Sequence, residues 1–211
     1  LTFQEYLTAC GLTDRQDMVP EAYRAWSGSD ASRWREVLLL MMGKMRQLPS
    51  LSVEQYAVAW LDRLLAKNIG QQPKPAAQRW QDSALAALSY RELGGQTTLA
   101  STQIDIEPRI LAPLRTAIVD MLATPDSGVV LADRMAAARL LTDLGDPRLL
   151  DPTSGNSPIG NYWCHIERGP FWFGDERKEN LRQMHLPYDF QIARYLVTNA
   201  EYARFMQAGG Y

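Results

Sequence analysis

Residues 52–65 read SVEQYAVAWLDRLL, and the placing of their apolar side chains settles the class of fold. Val53, Tyr56, Ala57, Trp60, Leu61, Leu64 and Leu65 fall at i, i+3, i+4, i+7, i+8, i+11 and i+12. At 3.6 residues per turn that spacing lays all of them on one stripe, so the segment is a helix with a single buried face.

Outward from this helix the same period recurs. Before it, Asp30 and Ser32 are candidate caps for a helix whose apolar face is Trp34, Val37, Leu38, Met41, Met42 and Met45. Pro49 disfavours helix in the residue before it, so this helix should end near Leu48. At the start of the chain Thr2 and Glu5 have the spacing of a capping box, with a short helix through about Ala9 closed by Gly11. After the central helix, Asn68 to Pro75 reads as a loop, and a helix from about Ala76 to Leu93 stops at Gly94 and Gly95. Thr97 to Glu107 is polar and irregular. A fifth helix carries Ile110, Leu111, Leu114, Ala117, Ile118, Met121 and Leu122, with Pro108 and Pro113 near its start. A sixth runs from about Val129 to Leu144, with Gly145 as its αL cap, and the two together have the form of a helical-repeat pair.

From Asp146 the character changes. Pro147, Pro152, Gly155, Pro158 and Gly160 interrupt the chain, and Tyr162, Trp163, Phe171, Trp172 and Phe173 form an aromatic stretch of strand-like composition. A domain boundary falls in residues 146–160. Near the end, Phe190, Ile192 and Arg194 alternate as a strand does, with Val197 at its end. Thr198 and Glu201 form a second capping box, Tyr202, Phe205 and Met206 the stripe of the helix it opens, and Gly209 or Gly210 its stop. One strand and one helix cannot bury these aromatics, so the chain is expected to be a fragment that stops within a domain.

The totals narrow the functional classes. The 211 residues suffice for one large domain or two small ones. A formal net charge of -2 with mixed signs gives no basic field for nucleic acid or an anionic membrane, so neither is an expected partner. The most apolar run, Val37 to Met42, is too short to span a bilayer, and no signal peptide is visible. Cys10 and Cys164 stand far apart in no CxxC pattern, which fits a reducing cytoplasm rather than a disulfide framework or zinc site.

No GxxxxGK[ST], GxSxG, HExxH or GxGxxG occurs. His165 and His185 are the two histidines. Cys164 beside His165 could suggest a thiolate with its base, but neighbours on a strand face opposite ways. The simpler reading makes Cys164 a buried small residue, His165 a surface one and His185 a packed loop residue. Asp175, Glu176, Arg177, Lys178 and Glu179 read as a solvated loop whose spacing fits no EF-hand. Of the tryptophans at 26, 34, 60, 80, 163 and 172, Trp34, Trp60 and Trp80 lie on predicted helix faces and are expected core anchors rather than a ligand groove. No catalytic, cofactor-binding or metal-ligating residue is assigned.

Two stretches resemble known families. Leu1-Thr2-Phe3-Gln4-Glu5-Tyr6-Leu7 and Trp34-Arg35-Glu36-Val37-Leu38-Leu39-Leu40 resemble, in order, segments that follow the nucleotide-binding and winged-helix region of NACHT-type STAND NTPases. Residues 136–148, AAARLLTDLGDPR, resemble a HEAT-like segment that in bacterial multidomain proteins often precedes a formylglycine-generating enzyme, or sulfatase-modifying factor, domain. Ile166 to Gly174, Phe190 to Phe205 and Gly209-Gly210-Tyr211 are similar to the opening of that domain, which has a C-type-lectin-like fold.

The resemblances imply a mainly α chain: a HEAT-like helical array over 1–150, then at 151–211 the α+β start of a formylglycine-generating-enzyme-type domain. They imply a non-catalytic transmitter and the start of a sensor in a bacterial signalling NTPase of the antiviral-defence kind. ATP and magnesium would bind upstream, and no cofactor would bind in this chain. The partner would be a protein or other macromolecular ligand, with homo-oligomerisation through the upstream NTPase. The alternative is part of a formylglycine-generating-enzyme-like oxidase or a nonhaem iron enzyme, since that family's catalytic cysteines and calcium ligands lie in a later portion, and none carries over to Cys10 or Cys164. A third reading is a free-standing helical scaffold.

Overall fold

The computed structural model describes residues 3–28, 30–149, 162–175 and 180–210. The chain divides into two compact units, Leu1–Gly145 and Asp146–Tyr211. Among the described residues the first is mainly helical, with one small hairpin, and the second carries small antiparallel strand pairs and one helix.

In the first unit, α1 spans Phe3–Thr13, α2 Met18–Trp26 and α3 Ala31–Met45. Helix α1 runs through Gly11 instead of stopping there, because Gly11 keeps a negative φ and the turn closes further on, where the Thr13 hydroxyl donates to the Cys10 carbonyl at 2.8 Å. Thr2, the expected cap, lies outside the described residues. Helix α2 escaped the sequence reading because Pro20 interrupts it and its surroundings are polar. Its buried residues Met18, Ala22, Tyr23 and Trp26 nevertheless fall at i, i+4, i+5 and i+8, and Pro20 sits in the first turn, where a missing N–H costs nothing. Helix α3 starts after Asp30, whose side chain makes no cap hydrogen bond, and ends at Met45 rather than Leu48. Tighter turns finish it, with the Gln47 and Leu48 amides donating to the Lys44 and Met45 carbonyls.

The decisive stretch is helical throughout but irregular. Helix α4, Ser50–Ser52, leads into a π-helical turn, Val53–Val58, and then α5, Ala59–Leu65. The wider turn fits an extra residue per revolution, which brings Val58 into the core beside Val53 and Ala57. The expected loop that follows contains a small hairpin, β1 Asn68–Ile69 and β2 Gln72–Pro73, turning on Gly70 and Gln71. Gly70 has φ 61°, as such a two-residue turn requires.

Helix α6, Ala76–Glu92, is the centre of the unit. Every residue from Asp82 to Tyr90 is buried, and α3, α5, α8 and α9 all pack on it. Gly94, at φ 94°, ends it and opens α7, Gly95–Leu99, a short helix within the stretch expected to be irregular. A second π-helical turn, Glu107–Leu111, precedes α8, Ala112–Ala123. Helix α9 runs Leu131–Leu144, starting two residues later than expected. Gly145 has a positive φ of 84° but a ψ of 100°, outside the αL region the sequence reading assigned to it.

In the second unit β3, Trp163–Ile166, pairs antiparallel with β6, Phe190–Ala193, and β4, Gly169–Phe173, with β5, Arg182–Leu186. The last strand stops at Ala193, short of Arg194 and Val197. Helix α10, Asn199–Gln207, opens on the expected capping box. The Glu201 amide donates to Thr198 Oγ1 at 3.2 Å, and the Thr198 amide donates to Glu201 Oε2 at 2.7 Å. It closes in a Schellman motif: the Gly210 amide donates to the Phe205 carbonyl and the Gly209 amide to that of Met206. Gly209, at φ 82°, is therefore the stop residue.

Glycine inside a helix costs backbone entropy, and Gly11 in α1 and Gly43 in α3 have nothing within 4 Å of where a Cβ would sit. Gly11→Ala and Gly43→Ala should each raise stability by about 0.5–1 kcal/mol, read as a shift in the urea midpoint at constant slope.

Candidate functional site

The most elaborate polar constellation among the described residues is one the sequence reading missed. Asp82 and Lys74 have fully buried side chains that meet at 2.6 Å. Asp82 Oδ2 also accepts from the Tyr23 hydroxyl at 2.9 Å, and its Oδ1 accepts from Trp26 Nε1 at 2.8 Å and Gln78 Nε2 at 2.6 Å. Lys74 Nζ donates further to the carbonyls of Arg63 and Leu64, at 2.8 and 3.1 Å, and so caps the last turn of α5. The Arg63 guanidinium and the Lys74 ammonium lie 4.5 and 4.9 Å from the Tyr23 ring centroid. One carboxylate thus ties together α2, α5, α6 and the residue after β2.

A buried lysine with a lowered pKa is a familiar base or nucleophile, and burial does pull Lys74 below its ordinary value while Asp82 pulls it back. Here, though, its three protons are all committed and no face of the ammonium is open. The cluster is a clasp. Among the described residues every buried side-chain nitrogen and oxygen has a hydrogen-bond partner.

Burial, and then Asp82, raise the Tyr23 hydroxyl well above its ordinary value of 10.0, and burial raises Tyr90. Above pH 10 the unfolded phenols release protons that the folded ones keep, so the unfolded chain binds fewer protons and stability falls as pH rises. Each phenol contributes up to about 1.4 kcal/mol per pH unit in that range. Lys74 acts oppositely, but only below 10.5, where its unfolded form still binds the proton. Tyr23→Phe should therefore flatten the alkaline fall seen in denaturant titrations taken above pH 10. An unchanged slope would remove Tyr23 from the cause.

Cations cap two further helix ends. Arg134 of α9 donates to the carbonyls of Leu122, Thr124 and Pro125 and to Ser127 Oγ, closing the C-terminus of α8. Arg115 of α8 donates to the Leu144 carbonyl at the end of α9. Arg35 of α3 reaches Asp133 in the first turn of α9 through two nitrogens, at 3.0 and 2.6 Å.

Between α5 and α8, over the start of α6, lies an open valley of about 670 Å³ with Trp80 and Ser83 in its floor. Trp34 and Trp80 are half-buried against the core, and Trp60 and Trp26 are buried. Trp80 thus packs against the core, as expected, and also borders the valley.

In the second unit, Cys164 and His165 are neighbours on β3 and point to opposite faces, opposing Ile192 and Gln191. Cys164 is half-buried rather than buried, His165 is exposed, and His185 lies exposed in β5 opposite Pro170 rather than in a loop. Of the charged run 175–179 only Asp175 is described; its amide donates to Asn180 Oδ1 at 2.6 Å. Among the described residues no cluster of His, Cys, Asp and Glu could hold a metal ion. Register places Phe171, Phe173 and Met184 on one face of the β4–β5 pair, where all three are exposed. Trp172, on the other face, is 66% exposed.

The clasp left one trace in the sequence. Asp82 opens the run DSALAALSY, residues 82–90, which holds no other charge and reads as a helix buried on all sides. An acid in such a run must be paired. Lys74, between Pro73 and Pro75 in a polar stretch, gave no comparable sign.

No protein-family model, curated protein or solved structure matches this chain. Its described architecture is that of a mainly helical protein with small antiparallel strand pairs toward its end, and no described helix is long and apolar enough to cross a membrane.

Proposed function

We propose that residues 1–150 are the helical arm, and residues 151–211 the start of the sensor domain, of a bacterial NACHT-type signalling NTPase. The arm is HEAT-like, the later segment begins a C-type-lectin-like domain, and the chain transmits rather than catalyses, in the cytoplasm. The observation that carries this reading is Trp172, 66% exposed on the face of the β4–β5 pair opposite to Phe171 and Phe173. Exposed aromatics on a pleated surface are the usual material of a recognition face. The helical unit supports the arm's part: its described buried side-chain polar atoms are paired and the ends of α5, α8 and α9 are capped by cations from neighbouring elements, so it would move as a stiff body. The motifs near Leu1 and Ala136 supply the family.

The test is made on the complete gene product. A Walker A lysine is expected before Leu1, and its substitution should abolish ATP hydrolysis. Trp172→Ser should then uncouple hydrolysis from the activating partner while leaving the basal rate intact. Oxidation of a cysteine-bearing peptide by paired cysteines beyond Tyr211 would instead favour the oxidase reading. A gene product with neither feature overturns both.

A further inference from the structure

We propose that the valley between α5 and α8 is a docking groove for a partner's acidic amphipathic helix of about three turns. This goes beyond the signalling reading and does not rest on it.

The layering creates the vacancy. Helices α5 and α8 each pack on α6 and meet one another only slightly, so the space over the start of α6 is where a fourth helix would lie. The valley is more apolar than polar: the Trp80 indole, Leu64 and Leu65 lie on one side and Ala112 and Ala117 on the other, with the Ser83, Thr116 and Thr124 hydroxyls among them. The face of α8 that lines the valley runs from Ala112 to Thr124, a rise of about 18 Å, which matches three turns of a partner helix. Ridges of larger side chains on that partner would seat between α5 and α8 as helices commonly pack.

Charge selects the partner. Lys67 and Arg79 both border the valley, both are exposed, and neither enters an ion pair among the described residues. They sit at the same end, because Lys67 precedes the hairpin and Arg79 lies in the first turn of α6, which follows it. Asp120 also borders the valley and leaves its rim with a net charge of +1. A helix with an apolar ridge and carboxylates at the hairpin end satisfies both features, whereas a basic helix would bring like charges together in a partly desolvated groove.

The experiment uses the full chain and two synthetic probes of about fourteen residues. Both carry leucines at i, i+3, i+4 and i+7, and they differ only in having two glutamates or two lysines at one end. The acidic probe should bind with a Kd of tens of micromolar and shift the Trp80 indole resonance, assigned with Trp80→Phe. The basic probe should bind at least tenfold more weakly. In Lys67→Glu with Arg79→Glu, both exposed and so tolerant of change, the order should invert. Ala117→Trp, which fills the valley, should abolish binding of both. The proposal falls if the probes bind equally, if reversal fails to invert the preference, if the largest shifts lie in the strands of the second unit, or if no binding saturates below about 1 mM.

Discussion

Asp82→Ala is expected to destabilise the helical unit by about 3–5 kcal/mol. The carboxylate is fully buried and takes hydrogen bonds from Tyr23, Trp26, Lys74 and Gln78. Removing it leaves the Lys74 ammonium uncompensated in the interior and strands the Tyr23 and Trp26 donors beside a cavity. Lys74 would retain only the Arg63 and Leu64 carbonyls, which cannot neutralise its charge. The pair need not be stabilising relative to an apolar one, since desolvation offsets much of its attraction. Lys74→Met combined with Asp82→Leu should therefore recover most of the loss, and the two changes should couple strongly in a double-mutant cycle. Urea unfolding followed by the far-UV helical signal, which comes mainly from the first unit, measures both. A loss under about 1 kcal/mol for Asp82→Ala would show that the clasp is solvated in solution.

Trp60→Ala should cost about 3–5 kcal/mol by a different route. The indole is completely buried, meets the Tyr23 ring edge-on at 6.5 Å, and donates from Nε1 to Ser89 Oγ at 3.1 Å. Truncation opens a cavity against α6 and leaves the Ser89 hydroxyl, itself buried, without its donor. Trp60→Phe keeps most of the packing and should cost clearly less; since both variants lack the Nε1 donor, the difference between them reports the packing lost. The same denaturation series decides it, and a change below about 1 kcal/mol for the alanine variant would mean that the helix faces are wrongly assigned. Trp60 and Asp82 meet through Tyr23, so their effects should not add.

Much of the fold could be read from the sequence because helix periodicity is local. The stripe from Val53 to Leu65, the stop at Gly94 and the capping box of Thr198 and Glu201 each depend on residues within a turn or two of one another. Helix α2 goes unassigned from the sequence: its stripe is short, polar on its flanks and contains Pro20, although a proline in the first turn does not break a helix. The π-helical turns at 53–58 and 107–111 were invisible, since a single extra residue per turn scarcely alters a stripe of broad apolar residues. Gly145 was assigned αL because glycine after a helix usually adopts it, but ψ there follows the chain leaving α9.

The candidate surfaces divide in the same way. Cys164 and His165 could be dismissed as a dyad from strand geometry alone, and the strand is there. The clasp and the valley could not be found, because each joins segments far apart in the chain: Asp82 lies 59 residues from Tyr23 and 56 from Trp26. By itself the sequence determined which residues turn inward along the helices other than α2 and α7, where α6, α9 and α10 stop, and that the residue patterns of phosphate cradles and common hydrolase sites are missing from its motifs. Tertiary structure decided what those inward faces meet. Periodicity fixes the direction of a side chain relative to its own axis, whereas a hydrogen bond across helices, the burial of a charge and the width of a valley depend on how separate axes are placed.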